Sequence, residues 1–461
     1  MSVRSVTGWT IVFLPALTLL FLLLHFSVDV PFWDDWDIPG STYENILRGQ
    51  GSIYQHFFGQ NIETRDAFPR LIFVAVGFTL GWHVTIFIVM SWLFALVTFL
   101  ALLKLMPVGL GRRSLVFPWI MLLIGGLLFS SSQWQNWLWS TQMAQFIPPC
   151  CLALCLLVQT SPQKSMGFKI IACAMLNVLA TFSPSNGMLL WVLAFPFMLI
   201  PFTGWKTVAK EQRTRILKWI SVYLGLAILT IAFYFWDYKK PPDSPPLDIV
   251  FDEPGLVMEC FLAWVGAPYV PYVPAGNVQL ALLTGGAMLL LFLFALVLVW
   301  VQWKRACYAT VKASWPWICL GGFGIATGVV TALARAGRGV GPNIAPRYFT
   351  HSLWIAIALV GLLYTLWSYR QRTRRVRDVA FGVFTGVIFL LTLYSWPDGV
   401  RKMRTFNTKS RQNLLTVRLA DVAPANPLWS RVNGHSGCCR TARLRMDRGV
   451  LPIERIDNWI T

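Results

Sequence analysis

The chain has 461 residues, of which 56% are hydrophobic, 15% aromatic and only 13% charged, and its mean hydropathy is +0.57. These values exclude an ordinary soluble domain and describe a polytopic membrane protein. The formal charge of +19 would suit nucleic acid, but the basic residues fall largely in short loops between apolar runs, which is the positive-inside pattern, so no nucleic-acid partner is expected.

The first apolar run, Trp9 to Phe26, is long enough to cross a bilayer and is followed by no small-residue cleavage site. A polar loop follows, opening with Pro31-Phe32-Trp33-Asp34-Asp35-Trp36-Asp37. Three carboxylates set between indoles sit there at one membrane face. The plainer reading is an acidic loop with an interfacial aromatic anchor. Phe68 to Trp82 is too short to span and is expected to lie in the interface.

Further spans are predicted at His83 to Leu105, Leu115 to Phe129, Phe146 to Val158, Gly167 to Phe182, Met188 to Phe202 and Trp219 to Trp236. The last four are Val278 to Val301, Trp315 to Leu333, Phe349 to Trp367 and Val379 to Trp396. The expected fold is thus all-α, a transmembrane bundle of about eleven spans. It divides into a membrane domain over 1–397, whose first outer loop is 27–82, and a basic tail over 398–461. The tail is expected to form a small helical appendage on the outer face, with a loosely ordered basic tail on anionic headgroups as the alternative. Cys150, Cys151, Cys155, Cys173, Cys307 and Cys319 lie in or beside apolar runs, where Cys packs as a small apolar residue, and the cysteines show no metal spacing.

Charge sets the orientation. With Arg4 inside, Lys104, Arg112, Arg113, Lys164, Lys169, Lys206, Lys210, Arg213, Arg215, Lys218, Lys304, Arg305, Lys312 and the arginines from Arg370 to Arg377 all fall inside as well. The acidic first loop then shares the outer side with Gln133 to Gln142, Ser183 to Asn186, Asp237 to Asn277 and Arg335 to Arg347.

Arg335, Arg338 and Arg347, with Tyr348 beside the last, lie among glycines on what is the wrong side for a positive-inside cluster. Guanidiniums so placed suit a phosphate ligand; snorkelling to headgroups is the alternative. Gln133, Gln135, Asn136 and Trp137 interleave amides with indoles, a composition that suits sugar hydroxyls and pyranose faces, or else an aromatic belt. Asn186 lies in a tight turn and is a candidate sugar contact, as are Asp37 and Glu63. The spans hold almost no ionisable group, unlike a proton- or ion-coupled transporter.

The acidic motif after the first span, the interfacial Phe68-Pro69-Arg70-Leu71 segment and the many-span core resemble the GT-C superfamily of integral membrane glycosyltransferases. Asn136-Trp137-Leu138-Trp139, Ser185-Asn186-Gly187, Arg335-Ala336-Gly337-Arg338-Gly339 and Arg347-Tyr348 look like a little-characterised bacterial branch of it. Gln60 to Arg65 departs from the His-rich stretch of that branch.

The resemblance implies inverting transfer from a polyprenyl-phosphate sugar to an envelope glycan or lipid, at the outer face of a bacterial plasma membrane. Asp34 or Asp35 is the expected base, and Arg335, Arg338 and Arg347 are the expected clamp on the leaving phosphate. No protein metal site is expected, and the sequence leaves the need for a divalent ion open. A lipid-linked sugar flippase and a non-catalytic glycan-binding subunit are the competing readings.

Overall fold

The computed structural model describes residues 3–107, 116–197, 208–241, 248–271, 277–369 and 375–420. Arg112, Arg113, Lys206, Arg370, Arg372, Arg374 and the tail from 421 onward lie outside the described residues. Among the described residues the fold is all-helical, and the pairing of Asn61 with Thr64 is an isolated bridge rather than a strand.

The chain opens with α1 (Val3–Phe26). The first loop carries α2 (Ser41–Leu47) and α3 (Ile53–Phe58), and leads to α4 (Ala67–Leu80). Next come α5 (Val84–Leu105), α6 (Val116–Leu128), α7 (Trp134–Leu138), α8 (Ile147–Thr160), α9 (Met166–Thr181) and α10 (Leu190–Leu193). The second half holds α11 (Lys210–Phe235), α12 (Ile249–Asp252), α13 (Pro254–Gly266), α14 (Val278–Lys304), α15 (Tyr308–Arg335), α16 (Val340–Asn343), α17 (Phe349–Ser368) and α18 (Arg375–Ala420).

Among the described residues nine helical stretches are long and apolar enough to cross a membrane, while Ala67–Leu80 and Met166–Thr181 are shorter apolar helices. At a rise of about 1.5 Å per residue, the 14 residues of α4 cannot bridge a hydrocarbon core of roughly 30 Å. α17 is the central helix: 89% of its best apolar window is buried, with Trp354, Ile355, Leu359 and Tyr364 in the core.

Four elements depart from the sequence reading. Residues 130–145, read from the sequence as a polar turn between two spans, form a broken helical path whose Ser131, Gln133, Asn136 and Ser140 are buried. The predicted span Met188 to Phe202 starts as a 3-10 turn over Ser185–Leu189 and continues only through α10. Pro196 two residues past Ala194 cannot extend an α-helix, and the Ala194 carbonyl accepts instead from Gln159 Nε2 at 2.7 Å. The predicted residues 198–202 are outside the described residues.

α13 went unread inside the long loop from Asp237. It packs on α14 through glycines: a Cβ on Gly266 would meet the Ala281 carbonyl at 1.9 Å, and one on Gly285 the Leu262 carbonyl at 1.9 Å. Small residues permit this backbone approach between apolar helices.

The boundary drawn at 397/398 falls inside an element. α18 passes through Pro397 and runs on to Ala420. Past Trp396 it leans on the opening motif and on the buried segment after α6. Ser131 Oγ donates to the Trp396 carbonyl at 2.8 Å, Asn407 Nδ2 donates to the Phe26 carbonyl at 2.9 Å, and the Phe406 ring lies 5.0 Å from Phe32 and 5.8 Å from Trp134. This stretch of the expected appendage is thus an extension of the last helix. Phe406→Ala should lower stability by about 1–2 kcal/mol, the share of a half-buried aromatic. The apparent melting temperature in detergent checks it, and an unchanged midpoint would show that α18 does not support the motif.

The acidic first loop and a pair of lysines lie at opposite ends of the bundle. Glu63, Arg335, Tyr238 and Gln60 meet at one end, and Lys169 and Lys312 approach each other at the other. Cysteines introduced at Ser185 and Gly339 should react with a membrane-impermeant maleimide from one side, and one at Lys210 only from the opposite side, with the unsubstituted chain as background. Equal labelling of all three from one side would overturn this segregation.

Candidate functional site

The two consecutive aspartates of the motif have different surroundings. Asp35 is fully buried. Its Oδ2 accepts from Phe32 N–H at 2.9 Å, and its Oδ1 accepts from Ser140 Oγ–H at 2.7 Å and Thr141 N–H at 3.0 Å. It pins the loop to the segment before α8. Burial pushes its carboxyl up to about 6, against the hydrogen bonds, which pull it down. A carboxylate so enclosed has no face for a substrate, so the catalytic expectation for Asp35 gives way to a positioning role.

Asp34 is half-buried, and no hydrogen bond engages its carboxylate among the described residues. Its acidity is weakened first by burial, then by the Asp37 carboxylate, while the Arg347 guanidinium acts in the opposite sense. Asp34 therefore lies within electrostatic range of Arg347, in the segment before α17. The turn that aims it is strained, because Trp33 has φ +43°, a left-handed conformation unfavourable for a bulky residue. Ile62 at φ +48° and Asp237 at φ +54° lie at the same end of the bundle. Such backbone persists only where surrounding contacts hold it. Here those contacts are the Asp35 hydrogen bonds and the edge-on packing of Phe32 and Trp33 against Trp139, at 5.4 and 6.0 Å.

The arginines are set individually. Arg347 N–H donates to Gln135 Oε1 at 3.1 Å, its carbonyl accepts from Asn136 Nδ2 at 2.8 Å, and its guanidinium lies 5.3 Å from the Tyr348 ring centre. Arg335 pairs with Glu63 at 3.3 Å, with both side chains partly exposed. Arg338 is exposed on the short turn after α15. Arg335 and Glu63, assigned separately to donor and acceptor, thus form one ion pair.

The amide-indole turn is turned inward. Gln133 Oε1 accepts from Thr350 Oγ–H at 2.7 Å, and Thr350 Oγ in turn accepts from Asn136 Nδ2 at 2.6 Å. Trp137 is wholly buried, donates to the Ser130 carbonyl at 2.9 Å and stacks on Phe146. These side chains have no surface to offer a sugar. The correction for Gln133, Asn136 and Trp137 is that they frame the start of α17 and hold Arg347. The same holds for Gln135 through its oxygen.

Asn186 is half-buried, with Nδ2 at 3.3 Å from His351 Nε2 and an Oδ1 that lacks a partner. His351, whose ring also meets Gln145 Oε1 at 2.8 Å, was not singled out in the sequence, because a lone histidine in an apolar run carries no local signal.

Beneath the motif, Asp66 and Arg70 stand together at the start of α4. Burial raises the Asp66 carboxyl to about 6 and lowers the Arg70 guanidinium. Among the described residues no three of His, Cys, Asp and Glu gather as a metal cluster.

Comparison of the chain with known protein families, with curated proteins and with solved structures returned no match. Function is therefore argued from the site itself.

Proposed function

We propose that the protein is an inverting membrane glycosyltransferase that takes a sugar from a polyprenyl-phosphate donor. The observation that carries this reading is Asp34: a half-buried carboxylate made more basic by burial and by Asp37, and within the electrostatic reach of Arg347. A base beside a cation is what the displacement requires.

In the reaction the acceptor hydroxyl gives its proton to Asp34 as its oxygen bonds to the anomeric carbon. The bond from that carbon to the phosphate oxygen breaks, and the phosphate leaves with the electron pair. Arg347, with Arg338 and Arg335, offsets the charge growing on it. A single displacement inverts the anomeric configuration. Arg335 also holds Glu63, which links the phosphate clamp to the Gln60–Asp66 segment. In the finer topology of this reading the chain makes eleven crossings, and the end that carries the first loop faces the periplasm.

Purified protein incubated with labelled polyprenyl-phosphate sugars and envelope extract, with and without divalent ions, should yield an inverted glycoside. Facilitated movement of the lipid-linked sugar across liposomes without transfer would favour a flippase instead. Arg347→Lys should weaken donor binding by about 1–3 kcal/mol, because an ammonium cannot replace a two-pronged guanidinium. Titration with a short-chain prenyl phosphate reads this out, and equal affinity would remove Arg347 from the clamp.

A further inference from the structure

The first loop holds a cavity of about 410 Å³ between α2, α3 and the start of α4, within the size range of small-molecule sites. Its wall is polar, and apart from His56 it presents no ring. Asp37, Asn45, Gln50, His56 and Asn61 line it, and none of their side chains is engaged by the protein among the described residues. This contrasts with Gln55 and Gln60 in the same wall. Gln55 closes the α3 cap with Ser52, and Gln60 holds the backbone of Lys239.

At the floor is Arg70. It is 7% exposed, gives one hydrogen bond to the His56 carbonyl at 3.2 Å, and has a buried Nε with no partner. Nε is closed off from the cavity, so a hydrogen bond from Arg70 to a ligand there would come from the terminal nitrogens of the guanidinium, one of which already reaches the His56 carbonyl.

We infer that this cavity binds the hydroxyl-bearing sugar of the acceptor, apart from the phosphate site at the arginines. The set of groups fits hydroxyls. One carboxylate accepts, one guanidinium donates, and two kinds of amide and an imidazole do either. It does not fit a phosphate, because Arg70 is its single cation and Asp37 shares the wall.

Asp37 connects the two regions, since it lines the cavity while its charge is felt at Asp34. Asp37 is thus the wall residue of the cavity that stands nearest in sequence to the base. This inference rests on the transferase reading for the word acceptor; the binding of a saccharide stands by itself.

Saturation-transfer NMR tests it, using the full chain in phosphatidylcholine nanodiscs and a panel of methyl and dodecyl glycosides of common hexoses and pentoses. At least one sugar should receive saturation on its ring protons. Binding should weaken about tenfold in an Asn45→Ala/Asn61→Ala pair, the effect of losing one to two hydrogen bonds. His56→Trp, which fills the cavity, should abolish it, and Arg347→Lys should leave it unchanged. Tighter binding of the dodecyl form marks a membrane-borne acceptor, and equal binding marks a soluble one; both support the cavity.

No saturation of any glycoside, saturation indifferent to both cavity variants, or displacement by inorganic phosphate would overturn it. Glycoside binding that persists while no donor yields transfer would sink the transferase reading and leave the saccharide site standing.

Discussion

Asp34→Asn should cut glycosyl transfer by a factor of about 10² or more while donor affinity stays near that of the native protein. The substitution keeps the volume and the acceptor oxygen and removes only the ability to take a proton. Because Asp34 has no engaged hydrogen bond among the described residues, it should leave the folded yield intact.

Its pH behaviour provides a second check. Burial and Asp37 move the Asp34 carboxyl above its ordinary 3.8. The base works deprotonated, so the rate should fall as pH drops through that raised value. The acid limb should be missing from the residual activity of Asp34→Asn. A variant with native turnover in a well-folded sample would end the catalytic reading.

Asp35→Ala should do the opposite, lowering stability by roughly 3–5 kcal/mol, because it removes hydrogen bonds to a buried carboxylate and strands their donors. The donors are Phe32 N–H, Ser140 Oγ–H and Thr141 N–H, and with them goes the turn that holds Trp33 at φ +43°. Asp35→Asn should cost less. Its oxygen still faces Ser140 and Thr141, but its amide NH₂ confronts the Phe32 N–H.

The pH dependence follows from the raised carboxyl. Since the folded value is about 6 against an ordinary 3.8, the fold favours the neutral acid. The proton-linked part of the Asp35 contribution is fully present below 3.8 and lost as pH rises through about 6, while the hydrogen bonds from Phe32, Ser140 and Thr141 remain to the ionised carboxylate. In Asp35→Asn that part of the slope between the two values should vanish from apparent melting temperatures taken across this range. A native midpoint for Asp35→Ala would show that the loop is held by other contacts.

Much of the architecture was readable from the chain alone. Long apolar runs name their own spans, because a bilayer accepts only helices whose backbone bonds are satisfied within the segment. The same logic kept Phe68 to Trp82 out of the span count, and α4 is indeed a short helix. The inequivalence of Asp34 and Asp35 also follows from adjacency, since consecutive side chains point in different directions.

Which of the two would be buried did not follow. That depended on Ser140 and Thr141, more than a hundred residues away. Nor could the sequence tell an amide that meets a sugar from one that meets a neighbouring helix. Gln133, Asn136 and Trp137 have the composition of a recognition surface, yet Thr350, Ser130 and the Arg347 backbone already occupy them. The cavity over Asn45, His56, Asn61 and Arg70 was invisible for the matching reason. Its residues are ordinary loop polars in the chain, and only the folding of α2 and α3 against α4 leaves their hydrogen-bonding groups pointing into one space. Hydrophobic length is a local property that a sequence states directly, whereas the engagement of a polar group depends on its partner, and here the partners come from distant parts of the chain.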